Sequence, residues 1–190
     1  MLEILIVAVI SAVCSLFNLS VGLTGLRITL GIIVLAAALQ RNAKLNVIIA
    51  SAFAGIGVCI VRILVSGISS GFSIYEVFNH SLEILFYLGY GIFYYVLVRR
   101  EKSVYKTHLI LLLMLCDFGA NTIEYAARHF LLSSSSATSA METAAFQTIF
   151  LAAFIRSSLI WIIAKFAFNA GEPARKIENS ENGKNTKGEN

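Results

Sequence analysis

The sequence predicts an all-α polytopic membrane protein with six transmembrane helices, a short second helix, and both termini on the cytoplasmic side. Three observations carry this prediction. Of the 190 residues, 57% are hydrophobic and only 14% are charged, whereas soluble domains usually carry about 25% charged residues. The apolar residues form long runs, and the basic residues collect in every second connection between them. This composition excludes a disordered chain, a coiled coil and an ordinary soluble enzyme domain.

Six apolar runs are candidates for membrane-spanning helices, since crossing the hydrocarbon core takes about 20 residues. They are Leu2–Val21, Leu26–Leu39, Leu45–Val65, Val77–Val98, His108–Leu132 and Ala144–Phe168. The second run would reach only about 21 Å as a helix. The segment SVGLTGLR before it is apolar and contains glycine, so we expect irregular backbone there, beside protein or a water-filled cavity. All runs should be helical, because backbone groups in lipid must be satisfied within their own segment.

The distribution of Lys and Arg sets the orientation. The connections after the second and fourth runs are basic, whereas 66–76 and 133–143 contain no Lys or Arg. By the positive-inside rule, both termini are therefore cytoplasmic. The N-terminal run lacks a basic leader and a clear cleavage site, so we interpret it as a retained first helix. We expect a membrane domain over 1–168 and a disordered polar tail over 169–190.

Enzymatic, metal and nucleic-acid functions have no support in the sequence. Cys14, Cys59 and Cys116 all lie within apolar runs, where cysteine behaves as a small hydrophobe. No zinc-protease, hydrolase-elbow, nucleotide-loop or CxxC motif is present. The net charge of +4 follows from membrane orientation. We therefore expect no catalytic residues, no metal site, no cofactor and no nucleic-acid partner.

Charged residues inside the runs point to a binding cavity, because such residues are costly in lipid and usually face the bundle interior. On the fifth run the spacing of four, three and four residues places the polar side chains on one helix face. With the predicted orientation, the set lies in the outer half of the membrane. The candidate ligand-binding residues are Arg27, Arg62, His80, Glu83, Asp117, Asn121, Glu124, Arg128 and Arg156.

This mixed-sign set predicts an outward-facing cavity for a small polar, zwitterionic, amino-acid-like solute. Arg27, Arg62 and Arg156 would hold its carboxylate. The acidic residues would hold its amino group, and Asn121 would add a hydrogen bond. Two structural alternatives remain open. Arg62 and Arg128 are near enough to helix ends to extend to the headgroups, and Asp117 and Arg156 would neutralise each other in a purely structural membrane subunit.

Three segments resemble a known family of sensors. They are LRITLGIIVL at Leu26–Leu35, CDFGANTIEY at Cys116–Tyr125 and LAAFIRSSLIW at Leu151–Trp161. Together they resemble the membrane sensor region of Gram-positive two-component histidine kinases of the glutamine-sensor-like, GHKL type. The resemblance implies a sensor in the bacterial cytoplasmic membrane. No histidine follows His129 and no ATP-binding glycine motif follows Phe168. This departure from the family leaves three interpretations open: a sensor module alone, the partner of a separate kinase, or a truncated gene product.

A second resemblance is to the substrate-binding subunits of energy-coupling-factor vitamin transporters. These subunits have six helices, cytoplasmic termini and an outward-open pocket. Some carry an alanine pair spaced like Ala8 and Ala12, which docks the coupling subunit. This resemblance implies a solute-binding transporter subunit as the alternative function.

Overall fold

The computed structural model describes residues 1–21, 26–100, 109–132 and 139–169. The described chain is helical apart from one two-stranded ribbon, which agrees with the predicted helical class. The predicted tail lies outside the described residues except for Asn169, which ends the last helix.

The elements follow one another as short helix, ribbon, short helix and four longer helical segments. In chain order they are α1 (Leu2–Cys14), β1 (Asn18–Val21), β2 (Leu26–Thr29), α2 (Leu30–Arg41), α3 (Val47–Ser70), α4 (Ile74–Ser81), α5 (Glu83–Tyr94), a π-helical turn (Tyr95–Arg99), α6 (Leu109–Leu132) and α7 (Ser139–Asn169). Leu82, between α4 and α5, also has helical dihedral angles (φ −67°, ψ −20°). The backbone is therefore helical from Ile74 to Arg99.

Four helical segments of the described chain are long and apolar enough to cross a membrane. They are Val47–Ser69, Ile74–Arg99, Leu109–Leu131 and Phe146–Phe166, and each overlaps one of the last four predicted runs. Many large apolar side chains on these helices point outward, including Phe53, Leu115 and Phe154. Exposed apolar side chains on long apolar helices are typical of lipid-facing surfaces.

The first two predicted runs differ from the observed helices. The first helix ends at Cys14 and not at Val21, and the second covers Leu30–Arg41. The irregular backbone expected over residues 20–27 is wrong for Ser20, Val21, Leu26 and Arg27, and the rest of that segment lies outside the described residues. Residues 18–21 and 26–29 pair as an antiparallel ribbon, with Asn18 opposite Thr29 and Val21 opposite Leu26. Strand pairing satisfies the backbone donors and acceptors that an irregular segment would leave open.

The helices close into a ring in the order α1, α3, α5, α6, α7, α2 and back to α1. The short helix α2 is the most enclosed, since Ile32, Leu35 and Ala36 are fully buried. Tyr90 of α5 and Leu113 of α6 complete the centre of the core. Burial of α2 among longer helices explains how a helix too short to span alone is accommodated.

Arg99 links α2 to the connection before α3 at the basic end of the bundle, which is the end that carries Arg41, Lys44, Arg99 and Arg100. Its Nη1 donates to the Leu45 carbonyl oxygen (2.6 Å), and its Nη2 donates to the carbonyl oxygens of Leu39 (3.2 Å) and Asn42 (3.0 Å). These carbonyls belong to the last turn of α2 and the connection to α3. The C-terminal carbonyls of a helix have no partner within the helix, so an arginine here satisfies them.

Candidate ligand-binding cavity

A cavity of about 260 Å³ lies where β2, α3, α5, α6 and α7 meet. Three arginines and two glutamates line it together with apolar and hydroxyl side chains. The lining residues of the described chain are Thr29, Arg62, Glu83, Phe86, Tyr87, Asn121, Glu124, Arg128, Thr148, Ile149, Ala152 and Arg156. Charges of both signs therefore surround a space enclosed by apolar helices.

The first charge cluster joins α3 to the start of α5. Arg62 Nη1 donates to Glu83 Oε1 (2.6 Å), and Arg62 Nη2 donates to the Ser15 carbonyl oxygen (3.2 Å). His80 Nδ1 lies 3.1 Å from the same Glu83 oxygen. Glu83 is the first residue of α5 and directly follows the junction with α4 at Leu82. These contacts fix Glu83 Oε1 and both Nη groups of Arg62.

The second charge cluster lies on α6 and reaches α4. Arg128 donates to Glu124 Oε1 from Nε (2.9 Å) and from Nη2 (2.6 Å). Its remaining Nη1 donates to Asn79 Oδ1. The spacing of four residues brings Glu124 and Arg128 together on one turn of the helix. Arg128 therefore has all its guanidinium nitrogens engaged.

The third cluster is the most deeply buried. Arg156 Nε lies 3.2 Å from Asp117 Oδ2 and donates weakly to the Ala152 carbonyl oxygen (3.4 Å). The guanidinium carbon of Arg156 lies 5.5 Å from the centre of the Phe86 ring, a favourable cation–π position. Asn121 Nδ2 donates to the Asp117 carbonyl oxygen (2.7 Å). Asp117 thus forms an ion pair with the Nε side of the Arg156 guanidinium, and neither of its buried carboxylate oxygens has a hydrogen-bond partner among the described residues.

Three charged groups on the cavity wall have hydrogen-bonding capacity that the described residues leave unused, and the buried Tyr87 hydroxyl on the same wall also has no hydrogen-bond partner among them. Arg156 has no hydrogen bond from Nη1 or Nη2 to the described chain. Glu83 and Glu124 accept through Oε1 and leave Oε2 without a partner in the same part of the chain. One cationic donor edge and two anionic acceptors therefore remain available to a molecule in the cavity.

The structure brings six of the nine candidate residues to the cavity wall, namely Arg62, Glu83, Asn121, Glu124, Arg128 and Arg156. His80 and Asp117 lie outside this lining and contact it through Glu83 and Arg156. Arg27 lies on β2 opposite Ser20, and its side chain is outside the described part of the structure. The Asp117–Arg156 pair of the structural alternative is present, but Arg156 also lines the cavity. The other alternative, in which Arg62 and Arg128 extend to the headgroups, stays a prediction, and in the structure these two arginines pair with Glu83 and Glu124.

Sequence reasoning missed several lining residues. Thr148, Ile149 and Ala152 precede Arg156 by eight, seven and four residues, which is one face of α7. Phe86 follows Glu83 by three residues on α5, so the same spacing could have identified it. Thr29 could not have been found in this way, because strand pairing and not helical periodicity places it beside the cavity.

Metal-binding and disulfide chemistry have no candidate groups in the described chain. It contains no group of three or more His, Cys, Asp or Glu side chains arranged to hold a metal ion. The three cysteines are free thiols.

Comparison of the chain with protein-family models, with curated proteins and with solved structures finds no match.

Proposed function

We propose that this chain is a membrane-embedded recognition module that binds a small zwitterionic, amino-acid-like solute in the cavity and signals to a cytoplasmic partner. The observation that carries the proposal is the set of unused polar groups. The Nη edge of Arg156 suits a carboxylate, which a planar guanidinium binds through two parallel hydrogen bonds. The Oε2 atoms of Glu83 and Glu124 suit an ammonium group.

The size of the cavity supports a solute of amino-acid dimensions. A volume of about 260 Å³ equals the space of about nine water molecules at roughly 30 Å³ each. This is near the lower limit for small-molecule sites, which usually occupy about 300–1,000 Å³. A peptide or a nucleotide would exceed it, whereas a free amino acid would fit.

The membrane arrangement in this proposal has six crossings with both termini inside, in the bacterial cytoplasmic membrane. The alternation of basic and uncharged connections supports it. Arg41 and Lys44 would then face the cytoplasm, and the cavity would open outward. A solute arriving from outside would therefore reach Arg156 without crossing the bilayer. The helices that line the cavity would then transmit a conformational change to the cytoplasmic side.

A transporter substrate-binding subunit is the second candidate function, and one surface favours it. An apolar groove of about 280 Å³ lies between α1 and α3. Ala8 and Ala12, the pair that resembles the docking site for a coupling subunit, are buried at its base against α3. A coupling subunit would therefore contact mainly the exposed apolar side chains of the groove, Leu5, Val9 and Phe53. Co-purification from the native membrane would separate the two functions, since a kinase is expected for the first and a coupling subunit with ATPases for the second.

Thermal unfolding of the purified protein in mild detergent tests solute binding. The panel contains the standard amino acids, their methyl esters and their N-acetyl derivatives. We expect one or a few free amino acids to raise the unfolding temperature. Blocking either end of the same solute should abolish the shift, because each end loses its partner in the cavity.

Variants test whether the shift in unfolding temperature arises from binding in the cavity. Arg156→Lys keeps the charge but loses the two-pronged donor edge, so we expect a much weaker shift. Arg100→Gln, at the basic end of the bundle, is the matched control and should respond like the original protein. The proposal fails if no member of the panel shifts unfolding, or if esters act as well as free amino acids.

A further inference from the structure

A second groove, larger than the cavity, lies at the basic end of the bundle. Its volume is about 510 Å³, and its lining comes from α1, α2, the residues after α2, and α7. Both α1 and α7 pack against α2, and the groove runs between them. Ala37 and Ala38 contribute small side chains from α2, whereas Ile6 and Ile163 contribute apolar surface from α1 and α7.

The polar end of this groove carries one available cation. Glu3 and Arg41 are the charged residues that line it within the described chain. The carboxylate of Glu3 is already engaged, since Asn42 Nδ2 donates to its Oε2 (2.7 Å). Arg41 is exposed, and its guanidinium has no hydrogen bond or ion pair with the described residues. Lys44 is exposed and lies outside the lining, and Arg99 is engaged by three backbone carbonyls.

We propose that this groove binds an anionic phospholipid. One acyl chain lies along the apolar walls, and the lipid phosphate accepts hydrogen bonds from Arg41. The groove has an apolar length and a polar end at which Arg41 is the available cation beside the Asn42-bound Glu3, and this division matches that of a phospholipid into tail and headgroup. Basic pockets between membrane helices are known to favour anionic headgroups, and the arginine fork matches phosphate oxygens. The inference does not depend on what the cavity at the other end binds.

Lipid titration of the full chain in mild detergent tests the proposal. The probes are phosphatidylglycerol, phosphatidylcholine with the same acyl chains, and inorganic phosphate. We expect phosphatidylglycerol to raise the unfolding temperature at concentrations where phosphatidylcholine has a smaller effect. Inorganic phosphate should have no effect, because it lacks the chain that fills the groove. Native mass spectrometry should show one phosphatidylglycerol retained per protein.

Three variants locate the lipid. Arg41→Gln should weaken phosphatidylglycerol binding about tenfold, the size expected for losing a charge-assisted hydrogen bond. Ala38→Phe should block the acyl chain and reduce binding of both lipids. Lys44→Gln is the matched control, because it removes an exposed basic residue outside the lining, and it should retain most of the preference.

Several outcomes would overturn the proposal. Equal effects of the two lipids would show that the groove does not select an anionic headgroup. An unchanged preference in Arg41→Gln would place the anionic lipid elsewhere, even if Ala38→Phe fails to fold. A response to inorganic phosphate as large as that to phosphatidylglycerol would indicate an anion site without a lipid. A partner protein bound in the groove in place of the lipid would also refute the proposal.

Discussion

Arg156 Nε lies 3.2 Å from Asp117 Oδ2, and the two side chains are only 6% and 1% exposed. Asp117 contacts Arg156 from behind, and Phe86 packs near its guanidinium. The pair therefore has two consequences: it neutralises two buried charges, and it leaves the Nη edge of Arg156 for the cavity. A buried ion pair is costly to break from one side, because the remaining charge stays buried without a partner.

A double-mutant cycle on this pair is the first prediction. Arg156→Gln removes the cation and leaves Asp117 in a buried position with no other ionic partner in the described chain. We expect a loss of about 3–5 kcal/mol in the free energy of unfolding. Adding Asp117→Asn to that variant should recover a large part of the loss, since two neutral amides can hydrogen-bond to each other. Reversible denaturation in detergent measures each corner of the cycle.

The control for this cycle is the more exposed pair of Glu124 and Arg128, whose side chains are 18% and 29% exposed. Arg128→Gln should cost less than Arg156→Gln, because Glu124 keeps some access to solvent when it loses its partner, whereas Asp117 is only 1% exposed. Additive effects of Arg156→Gln and Asp117→Asn would contradict direct coupling between the two residues.

Cysteine labelling provides the second prediction, which concerns access to the cavity. Asn121→Cys is introduced after Cys14, Cys59 and Cys116 are replaced by alanine. We expect a membrane-impermeant maleimide to label this cysteine from outside intact cells, because the cavity contains water and opens outward in our proposal. The stabilising amino acid should slow the labelling.

Two other positions make the labelling result interpretable. Leu115→Cys lies on the same helix at an exposed apolar position and should remain unlabelled, since maleimide reacts with thiolates in water. Lys44→Cys should react only after the membrane is permeabilised. Labelling of Asn121→Cys only after permeabilisation would reverse the proposed orientation.

The sequence predicted contacts within one helix better than contacts between helices. Glu124 and Arg128 are four residues apart, so helical geometry alone brings them together. Arg62 and Glu83, or Asp117 and Arg156, meet only because α3 lies beside α5 and α6 lies beside α7. Their positions along the predicted helices indicated a shared depth in the membrane. Periodicity carries no information on which helices are neighbours. The Arg62–Glu83 contact could therefore not be predicted, and shared depth supported the Asp117–Arg156 pair only as one alternative.

The end of α1 was also beyond sequence reasoning. The residues after Cys14 remain apolar, and hydropathy alone favours a continued helix to Val21. The backbone instead turns and pairs Leu19 with Ile28. A ribbon of eight paired residues satisfies backbone hydrogen bonds as a helix would, so composition does not distinguish the two. Strand pairing depends on a second segment of the chain, whereas hydropathy is averaged over consecutive residues and carries no information about that segment.

Close packing between α3 and α5 gives the third prediction. A β-carbon added at Gly91 would lie 2.6 Å from the β-carbon of Ser51, whereas one added at Gly89 would lie 3.4 Å from the Ala120 backbone. Gly91→Ala should therefore destabilise the protein by about 1–3 kcal/mol through overpacking. Gly89→Ala should be neutral or slightly stabilising, because alanine is the better helix former.

The double variant Ser51→Gly with Gly91→Ala checks the mechanism. It moves the small residue from α5 to α3 and removes the overlap, so the unfolding temperature should rise above that of Gly91→Ala alone. If Gly91→Ala and Gly89→Ala unfold at the same temperature, α3 and α5 do not approach as closely as the structure has them.

Arg99 provides the last prediction, because one side chain holds three carbonyl oxygens at the end of α2 and in the following connection. Arg99→Gln leaves most of these acceptors without a donor, and hydrogen bonds to charged groups contribute about 1.5–3 kcal/mol each. We expect a loss of at least about 2 kcal/mol and faster hydrogen exchange at the start of α3. Arg99→Lys should recover only part of the loss, because an ammonium group keeps the charge but reaches fewer of the three oxygens.

Arg100→Gln is the adjacent control: Arg100 is exposed, and its replacement should change stability by less than about 0.5 kcal/mol. Equal effects of the Arg99 and Arg100 variants would mean that the general positive charge of this end, and not the three specific hydrogen bonds, stabilises the connection between α2 and α3.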